Sequence, residues 1–309
     1  MSKKNALVFG GSGFLGSHVA DVLSEVGYKV SLFDLQASPY IRPDQTMVVG
    51  NILDTDNVND AMKGQDVVFN FAGFSDLDMG KDQPMEVVNQ NILGTINLLN
   101  GSVKNNIQRF VFASTIYVYS DLGGFYRCSK QATEIFIEEF YNRYGLEYTI
   151  LRYGSLYGPR AGVNNGIRRY LSQGFREGKI TYPGTGDEMR EYIHVRDAAR
   201  LSADILSSEY KNKHIVITGH HQLKTKNMLK MIKEILKKDI ILEFSHTPNN
   251  FHYSLTPYSF TPKIGSKLVS NLYVDMGQGF LECLQEIRQD PDHTGKTGNE
   301  KITTNFLKT

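Results

Sequence analysis

The chain contains 309 residues, of which 40% are apolar and 22% are charged. Its 34 Lys and Arg are balanced by 33 Asp and Glu, and the formal net charge of +1 argues against binding nucleic acid through overall charge. Two cysteines, Cys128 and Cys283, are too few for a disulfide framework or a four-cysteine zinc site. No apolar run reaches the length of a signal sequence or the ~20 residues of a membrane span. We therefore expect a cytoplasmic protein without a membrane or nucleic-acid partner.

Apolar strands alternate with amphipathic helices through the first half of the chain. The run at 6–9 is wholly apolar, as in strands that are buried on both faces. This alternation predicts an α/β fold, a Rossmann-type doubly wound parallel sheet with right-handed crossovers. The predicted strands are 6–9, 28–35, 47–49, 66–72, 109–114 and 148–152. The predicted helices are 14–26, 58–62, 84–104 and 126–144.

The pattern changes after Gly158, where aromatic and basic residues become frequent. Alternation resumes only in part, with a predicted strand over 214–218 and a predicted helix over 226–237. We therefore expect a smaller C-terminal lobe beside the sheet domain, followed by a mobile tail that is poor in apolar residues. The predicted boundaries are 1–160 plus about 191–218 for the sheet domain, 161–190 and 219–288 for the lobe, and 289–309 for the tail.

A glycine-rich turn joins the first strand to the first helix. Gly10, Gly13 and Gly16 let the backbone turn tightly and approach a pyrophosphate, and the helix N-terminus offers unpaired N–H groups to phosphate oxygens. Asp34 ends the second strand about 20 residues further on, as in dinucleotide-binding folds. A carboxylate there can accept hydrogen bonds from the ribose hydroxyls of NAD and would repel the 2′-phosphate of NADP. The predicted cofactor is therefore NAD.

Tyr126 and Lys130 lie four residues apart at the start of the predicted helix over 126–144, so they share one face of it. The ordinary pKa of tyrosine, about 10, is too high for a base at neutral pH, but a neighbouring ammonium favours the phenolate. The phenolate could then take a proton from a substrate hydroxyl. Thr115 ends the fifth strand, at the edge where ligands bind in such sheets, and can hydrogen-bond the same oxygen.

A series of motifs over residues 5–240 occurs in the order typical of one family. Besides the glycine loop and Asp34, they are Phe-Ala-Gly (71–73), Asn-Ile-Leu-Gly-Thr (91–95), Ser-Thr (114–115), Tyr-x-x-x-Lys (126–130), Leu-Tyr-Gly-Pro (156–159) and Arg-Glu-Tyr-Ile-His-Val (190–195). Together they resemble the extended short-chain dehydrogenase/reductase family, in its NAD-dependent nucleotide-sugar epimerase/dehydratase branch. The resemblance implies bound NAD, a nucleoside-diphosphate sugar as substrate, a NAD-binding sheet domain and a substrate-binding lobe. It also implies a homodimer joined through the helices near 91–104 and 127–144.

The resemblance also implies roles for individual residues. The catalytic residues would be Thr115, Tyr126 and Lys130. The cofactor would be bound by Gly10, Gly13, Phe14, Leu15, Gly16, Asp34, Asn51, Ile52, Ala72, Gly73, Asn91 and Lys130. The substrate would be bound by Ser114, Asn165, Tyr182 and Arg190. An arginine suits the bidentate binding of a nucleotide phosphate; the alternative for Arg190 is an ion pair with Glu188.

Departures from the family pattern narrow the chemistry. Dehydratases of the branch carry an Asp-Glu pair directly after the position of Thr115, where this chain has Ile116 and Tyr117, and the glutamate of the decarboxylases is also missing. Reductases of the branch use NADPH, which Asp34 disfavours. Epimerisation, most simply at C4 through a keto intermediate, is left by elimination. The loop between Tyr119 and Tyr126 is shorter than is usual in the family, which would open the sugar pocket.

Other interpretations stay open at this point. The chain could be a dehydratase, a dehydrogenase or reductase that releases its product, or a catalytically silent NAD-binding sensor or scaffold. The segment over 256–262 matches no family segment, and its aromatic residues either stack on the substrate or pack as a loop. Cys128 is either a reactive thiol or a packing residue. No metal is predicted, because the histidines lack ligand spacing; they include His220, His221, His246 and His252.

Overall fold

The computed structural model describes residues 4–77, 79–237, 239–245, 252–259 and 281. The chain divides into two compact units, residues 1–261 and residues 262–309. Every strand and helix named below lies in the first unit. The predicted tail, Cys283 and His246 lie outside the described residues.

The described part of the chain alternates between strands and helices. The strands are β1 (Asn5–Phe9), β2 (Lys29–Asp34), β3 (Thr46–Val49), β4 (Val67–Asn70), β5 (Arg109–Thr115), β6 (Tyr148–Tyr153), β7 (Ser155–Tyr157), β8 (Lys179–Tyr182), β9 (Met189–His194), β10 (Lys213–Ile217), β11 (Gln222–Lys224) and β12 (Ile241–Phe244). The α-helices are α1 (Phe14–Glu25), α2 (Thr55–Met62), α3 (Pro84–Val87), α4 (Gly94–Lys104), α5 (Gly124–Tyr144), α6 (Gly166–Glu177), α7 (Val195–Asp204) and α8 (Thr225–Leu236).

A parallel sheet of seven strands forms the centre of the fold, in the order β10-β6-β5-β4-β1-β2-β3. The chain winds outward from β1 through β2 and β3 on one side and from β4 through β5 and β6 on the other. The direction reverses between β1 and β4, and ligands of such sheets bind at this point, beyond the carboxyl ends of the strands. The predicted Rossmann-type doubly wound fold is confirmed.

Helices cover both faces of this sheet because side chains alternate along each buried strand. Ala6 and Val8 of β1 belong to a core cluster that includes residues of α1 and α7, such as Leu23. Leu7 and Phe9 belong to a second cluster with residues of α2, α4 and α5. These four side chains of β1 are completely buried. The wholly apolar run at 6–9 therefore has the two-sided burial that its composition predicts.

A third core cluster forms between α6, α8 and the two-stranded parallel sheet β8–β12. Strands β7, β9 and β11 form a further small sheet. This part of the chain coincides with the region where the sequence pattern weakens. The domain boundaries given above stay a prediction. The buried residues of the third cluster are Tyr170, Ile180, Tyr182, Met228, Leu229, Ile232 and Ile240.

Several predicted boundaries move by a few residues. Helix α2 begins at Thr55, before its first apolar residue, because the Asp54 carboxylate caps it by accepting from the N–H groups of Asp56 and Asn57. The predicted helix over 84–104 contains a π-helical segment, Val88–Leu93, between α3 and α4. The prediction missed α6, α7 and the short strands β7, β8, β9, β11 and β12. Among the described residues, no helix is long and apolar enough to cross a membrane.

Candidate active site

A cavity of about 1060 Å³ opens at the carboxyl edge of the central sheet and extends to β8, β9 and α6. Every residue that the sequence predicted for the site lines this cavity, except Asn91. The fold therefore brings residues from opposite ends of the first unit to one place. The predicted residues on its wall are Gly10, Gly13, Phe14, Leu15, Gly16, Asp34, Asn51, Ile52, Ala72, Gly73, Ser114, Thr115, Tyr126, Lys130, Asn165, Tyr182 and Arg190.

The glycine loop has the close backbone packing that a pyrophosphate cradle needs. Gly10 has a φ of +75°, and a Cβ there would lie 2.5 Å from the Ala72 nitrogen. A Cβ on Gly16 would lie 2.2 Å from the Gly10 carbonyl oxygen. Helix α1 has Gly13 at its N-cap without a side-chain hydrogen bond, so no side chain occupies the N–H groups of its first turn. This end of the helix suits a bound phosphate.

Asp34 stands at the end of β2 on the cavity wall, beside the glycine loop. Its Oδ2 accepts a hydrogen bond from the Ser12 N–H at 3.0 Å, which holds the carboxylate against the loop. Asn51 and Ile52 lie after the neighbouring strand β3, and the Asn51 Oδ1 caps its own turn by accepting from the Leu53 N–H at 2.9 Å. The carboxylate and the loop thus form one continuous surface for a dinucleotide.

Asn91 does not lie on the cavity wall. It sits in the π-helical segment, buried, and its Oδ1 accepts from the Phe74 N–H at 2.6 Å. Its Nδ2 donates to the Phe74 carbonyl at 3.0 Å and to the Ser129 Oγ at 2.8 Å. Both ends of the amide are therefore engaged in holding the loop after β4 against α5. Its place makes Asn91 a positioning residue for the lining residues Gly73 and Phe74.

Thr115, Tyr126 and Lys130 meet where β5 ends and α5 begins. The Thr115 hydroxyl hydrogen-bonds the Tyr126 side chain. The Lys130 Nζ donates to the Ala113 carbonyl at 2.8 Å and lies 5.8 Å from the centroid of the Tyr126 ring. The predicted trio is thus assembled around one point of the cavity.

The pKa of Tyr126 is raised, whereas the sequence led us to expect a lowered pKa. Burial raises the pKa of Tyr126 to about 12, although the hydrogen bond with Thr115 opposes the rise. Burial also lowers the pKa of Lys130 to about 8, against the opposing charge of Glu134. The expectation that Lys130 lowers the tyrosine pKa is wrong for the chain by itself. Desolvation disfavours both charged forms, and the ammonium is directed to the Ala113 carbonyl.

Ser114 also borders the cavity, but its hydroxyl donates to Glu134 Oε1 at 2.5 Å. Glu134 accepts in turn from Arg152, which lies beside Ser114 in the neighbouring strand β6. This buried pair was not predicted from the sequence. The signal available was the position of Glu134, four residues after Lys130 on the same helix face.

The predicted substrate-binding residues line the far end of the cavity. Asn165 caps α6, accepting from the Arg168 N–H at 3.2 Å and donating to the Leu156 carbonyl at 2.8 Å. Tyr182 is buried on β8. The Arg190 guanidinium lies 4.3 Å from the centroid of the Tyr253 ring and donates to the Tyr253 carbonyl.

The alternative partner of Arg190 is engaged elsewhere. The Glu188 carboxylate accepts from the N–H groups of Thr185 and Gly186, at 3.0 and 2.8 Å. Arg190 lines the cavity with its charge facing an aromatic ring and a carbonyl group. Since Glu188 does not neutralise it, the Arg190 guanidinium is available to bind a nucleotide phosphate in the cavity.

The two positions after Thr115 that carry acids in dehydratases differ in their surroundings. The Ile116 side chain is buried, whereas Tyr117 lines the cavity. Two further residues on the wall, His252 and Arg169, were also missed from the sequence. His252 belongs to a segment without a recognisable motif, so no local signal pointed to it. Among the described residues, no group of three or more His, Cys, Asp or Glu could hold a metal ion.

Known proteins that are similar to this chain include nucleotide-sugar epimerases and a decarboxylase. A putative UDP-glucose 4-epimerase from Methanocaldococcus jannaschii is 29% identical over 253 residues, which cover 74% of this chain and 81% of that protein. A UDP-N-acetyl-alpha-D-glucosaminuronate decarboxylase from Bacillus cytotoxicus is 28% identical over 251 residues, 72% of this chain and 77% of that protein. The crystal structure of UDP-glucose 4-epimerase with UDP-glucose from Thermotoga maritima is 27% identical and superposes with a TM-score of 0.74, covering 83% of this chain and 90% of that one.

A family model matches residues 6–218, which is more than half of the chain. The matched region includes the glycine loop, Asp34, Thr115, Tyr126 and Lys130. This match confirms the family resemblance that the motifs predicted. The chain belongs to the NAD dependent epimerase/dehydratase family.

Proposed function

We propose that this protein is an NAD-dependent epimerase that inverts C4 of a nucleoside-diphosphate sugar. The observation that carries the proposal is the convergence of Thr115, Tyr126 and Lys130 with the glycine loop and Asp34 on one cavity. A relative and a solved structure that carry the name UDP-glucose 4-epimerase support it. The site also argues against the alternative of a catalytically inactive NAD-binding protein, because such a protein has no physical need for Thr115, Tyr126 and Lys130.

The residues present suit NAD. At Gly10 and Gly16 a Cβ would meet the protein's own backbone, so the tight turn that can present the loop to a pyrophosphate needs glycine at both positions. Asp34 offers a carboxylate to the adenosine ribose, and Lys130 would hold the nicotinamide ribose. NAD, when bound, supplies a hydride acceptor and donor.

The chain itself handles the proton. Thr115 would orient the sugar hydroxyl, and the Tyr126 side chain, in its phenolate form, would take the hydroxyl proton as the C–H bond breaks and would return it when the resulting ketone is reduced from its other face. Because burial raises the pKa of Tyr126 to about 12 in the chain alone, little phenolate is present there at neutral pH. A cationic group bound beside the phenol favours the phenolate and makes the transfer easier.

The absence of acid groups after Thr115 separates epimerisation from dehydration. Elimination of water needs an acid and a base close to the neighbouring sugar carbons. Ile116 is buried and apolar, and Tyr117 is a phenol hydrogen-bonded to His252. Neither is a carboxyl group, and the proposal therefore assigns no loss of water to this site.

The test is incubation of the purified protein with NAD and a panel of UDP-, GDP-, CDP- and dTDP-sugars, followed by chromatography and mass spectrometry. We expect a product of unchanged mass that separates from the substrate, with no net NADH. A product lighter by water or by carbon dioxide would replace the proposal with dehydration or decarboxylation. Net NADH would identify a dehydrogenase, and bound NAD without conversion of any sugar would favour the silent protein.

We also propose a homodimer formed through α4 and α5. These helices pack against each other, and Leu93, Ile135 and Phe136 on or beside them expose 48%, 66% and 42% of their area. Exposed apolar residues on neighbouring helices favour a subunit interface. Light scattering should show a dimer for the wild type and a monomer for Ile135→Asp. The control is Phe175→Asp on α6, an equally exposed apolar position away from these helices, which should stay dimeric.

We place the reaction in the cytoplasm. NAD and nucleotide sugars are charged, water-soluble molecules, and both must reach the cavity. Fractionation of cells that express the tagged chain tests this location, and recovery with the membrane or secreted fraction would contradict it.

A further inference from the structure

A phenol and an imidazole meet on the cavity wall beside the catalytic residues. The Tyr117 hydroxyl lies 2.5 Å from the His252 Nδ1. The Tyr117 N–H donates to the Thr115 Oγ1 at 3.2 Å, so this tyrosine is joined directly to the residue that orients the reacting hydroxyl. Both Tyr117 and His252 line the cavity.

Close packing fixes the position of the Tyr117 ring. The Tyr253 ring packs on it with centroids 4.7 Å apart. Gly123 also packs against the Tyr117 ring, so closely that a Cβ on Gly123 would lie 2.8 Å from the Tyr117 Cδ1. Gly123 belongs to the shortened loop after Tyr119 and has a φ of +103°. The short loop therefore supports the Tyr117 ring, and a side chain larger than glycine at position 123 would displace that ring.

The segment that carries His252 is tied to the predicted phosphate-binding strand. The Ser254 carbonyl accepts from the Met189 N–H at 2.8 Å. Arg190 donates to the Tyr253 carbonyl and lies over the Tyr253 ring. The position of His252 is thus coupled to that of Arg190, and the segment links the two ends of the substrate cavity.

We propose that Tyr117 and His252 form a pair that contacts the sugar and determines which sugar the enzyme accepts. The inference rests on the proposed function, because it takes the ligand to be a nucleotide sugar. A ligand that fills the cavity removes water from the pair, so a sugar with a matching hydroxyl or carbonyl group is favoured. A sugar that lacks this group offers the pair no hydrogen bond in place of the water that it displaces, and it is bound less tightly.

The pair is tested by binding, which does not require turnover. Calorimetry would give the affinity of the NAD-loaded protein for UDP, UDP-glucose, UDP-N-acetylglucosamine and UDP-glucuronic acid. In Tyr117→Phe and His252→Leu we expect the tightest of the three sugar nucleotides to weaken by roughly tenfold, with UDP within about twofold of wild type. His252→Asn, which retains a polar atom near the Nδ1 position, should restore most of the affinity.

The matched control is Tyr258→Phe, the same chemical change in the same segment. Tyr258 is 51% exposed and does not belong to the cavity wall, and its affinities should equal those of the wild type. In the double variant Tyr117→Phe, His252→Leu the loss should be less than the product of the single losses, because the two side chains form one unit.

Two results would contradict the proposed role of Tyr117 and His252 in sugar selection. One is an unchanged preference among the three sugars in both single variants. The other is an equal loss for UDP and for every sugar nucleotide, which would indicate a structural role. If these sugars bind but no sugar of the whole nucleotide-sugar panel is converted, the proposed epimerase is contradicted while this test of sugar selection stays valid. If the wild type binds none of the three sugar nucleotides more tightly than UDP, the proposed role of Tyr117 and His252 is contradicted.

Discussion

Arg152 and Glu134 form a buried ion pair, and Glu134 also accepts a hydrogen bond from Ser114, the neighbour of the predicted catalytic residue Thr115. The Arg152 Nη2 donates to Glu134 Oε2 at 2.5 Å, and both side chains are less than a tenth exposed. Burial by itself would raise the pKa of Glu134, but hydrogen bonds from His214, Arg152 and Ser114 and the charge of Arg152 outweigh it and lower the pKa. Glu134 is therefore an anion at neutral pH, one helical turn from Lys130.

The stability of the fold should depend on this pair. Glu134→Gln leaves the buried Arg152 charge without its counter-ion, so we expect a loss of roughly 3 kcal/mol in the free energy of unfolding. Glu138→Gln on the same helix is the control, because Glu138 is 45% exposed and binds His214 at the surface; its loss should stay below about 1 kcal/mol. Denaturant titration measures both, and equal small losses would contradict a structural role for the pair.

Cofactor binding should weaken in alkaline solution because the pKa of Lys130 lies near 8. Below that pH the ammonium is present to hold a ribose hydroxyl, and above it the charge is lost. The Glu134 charge opposes this lowering of the Lys130 pKa, so Glu134→Gln should move the fall in affinity to lower pH. NAD titrations from about pH 6 to 10 measure the midpoint. A midpoint that is the same in both proteins would show that Lys130 does not govern the fall.

Turnover should depend on the phenolic oxygen of Tyr126. Tyr126→Phe keeps the ring and removes the atom that transfers the proton, so we expect kcat to fall by about 10²–10⁴-fold while NAD still binds. Tyr141→Phe, on the exposed side of the same helix, provides the control and should keep its activity. Retention of full activity by Tyr126→Phe would remove Tyr126 from the mechanism.

The glycine loop should tolerate no side chain at Gly16. Gly16→Ala places a Cβ against the Gly10 carbonyl oxygen, so the loop must shift away from the geometry that accepts a pyrophosphate. We expect NAD affinity to fall at least tenfold, on the order of 1.4 kcal/mol or more. Gly162→Ala is the control, since a Cβ there meets nothing within 4 Å. Equal NAD affinity in the two variants would contradict the cradle.

Local patterns in the sequence were sufficient to predict the central sheet, the glycine loop and the placement of Tyr126 beside Lys130. The apolar run of β1, the spacing of the glycines and the separation of Tyr126 from Lys130 by one helical turn all depend on residues close together in the chain. Each therefore carries its own signal. The family motifs extended that prediction to Asn165 and Arg190, which the structure places on the same wall.

The remaining features depend on contacts between distant parts of the chain. Strand β12 pairs with β8 about 60 positions earlier, and each strand has only four residues, too few for a clear periodicity. Tyr117 and His252 are 135 positions apart, and no local pattern connects them. The raised pKa of Tyr126 follows from desolvation, a property of the assembled cavity. The sequence by itself thus determined the sheet and predicted the cofactor loop and the catalytic trio, whereas tertiary packing alone decided the wall around Tyr117 and His252 and the charges within the cavity.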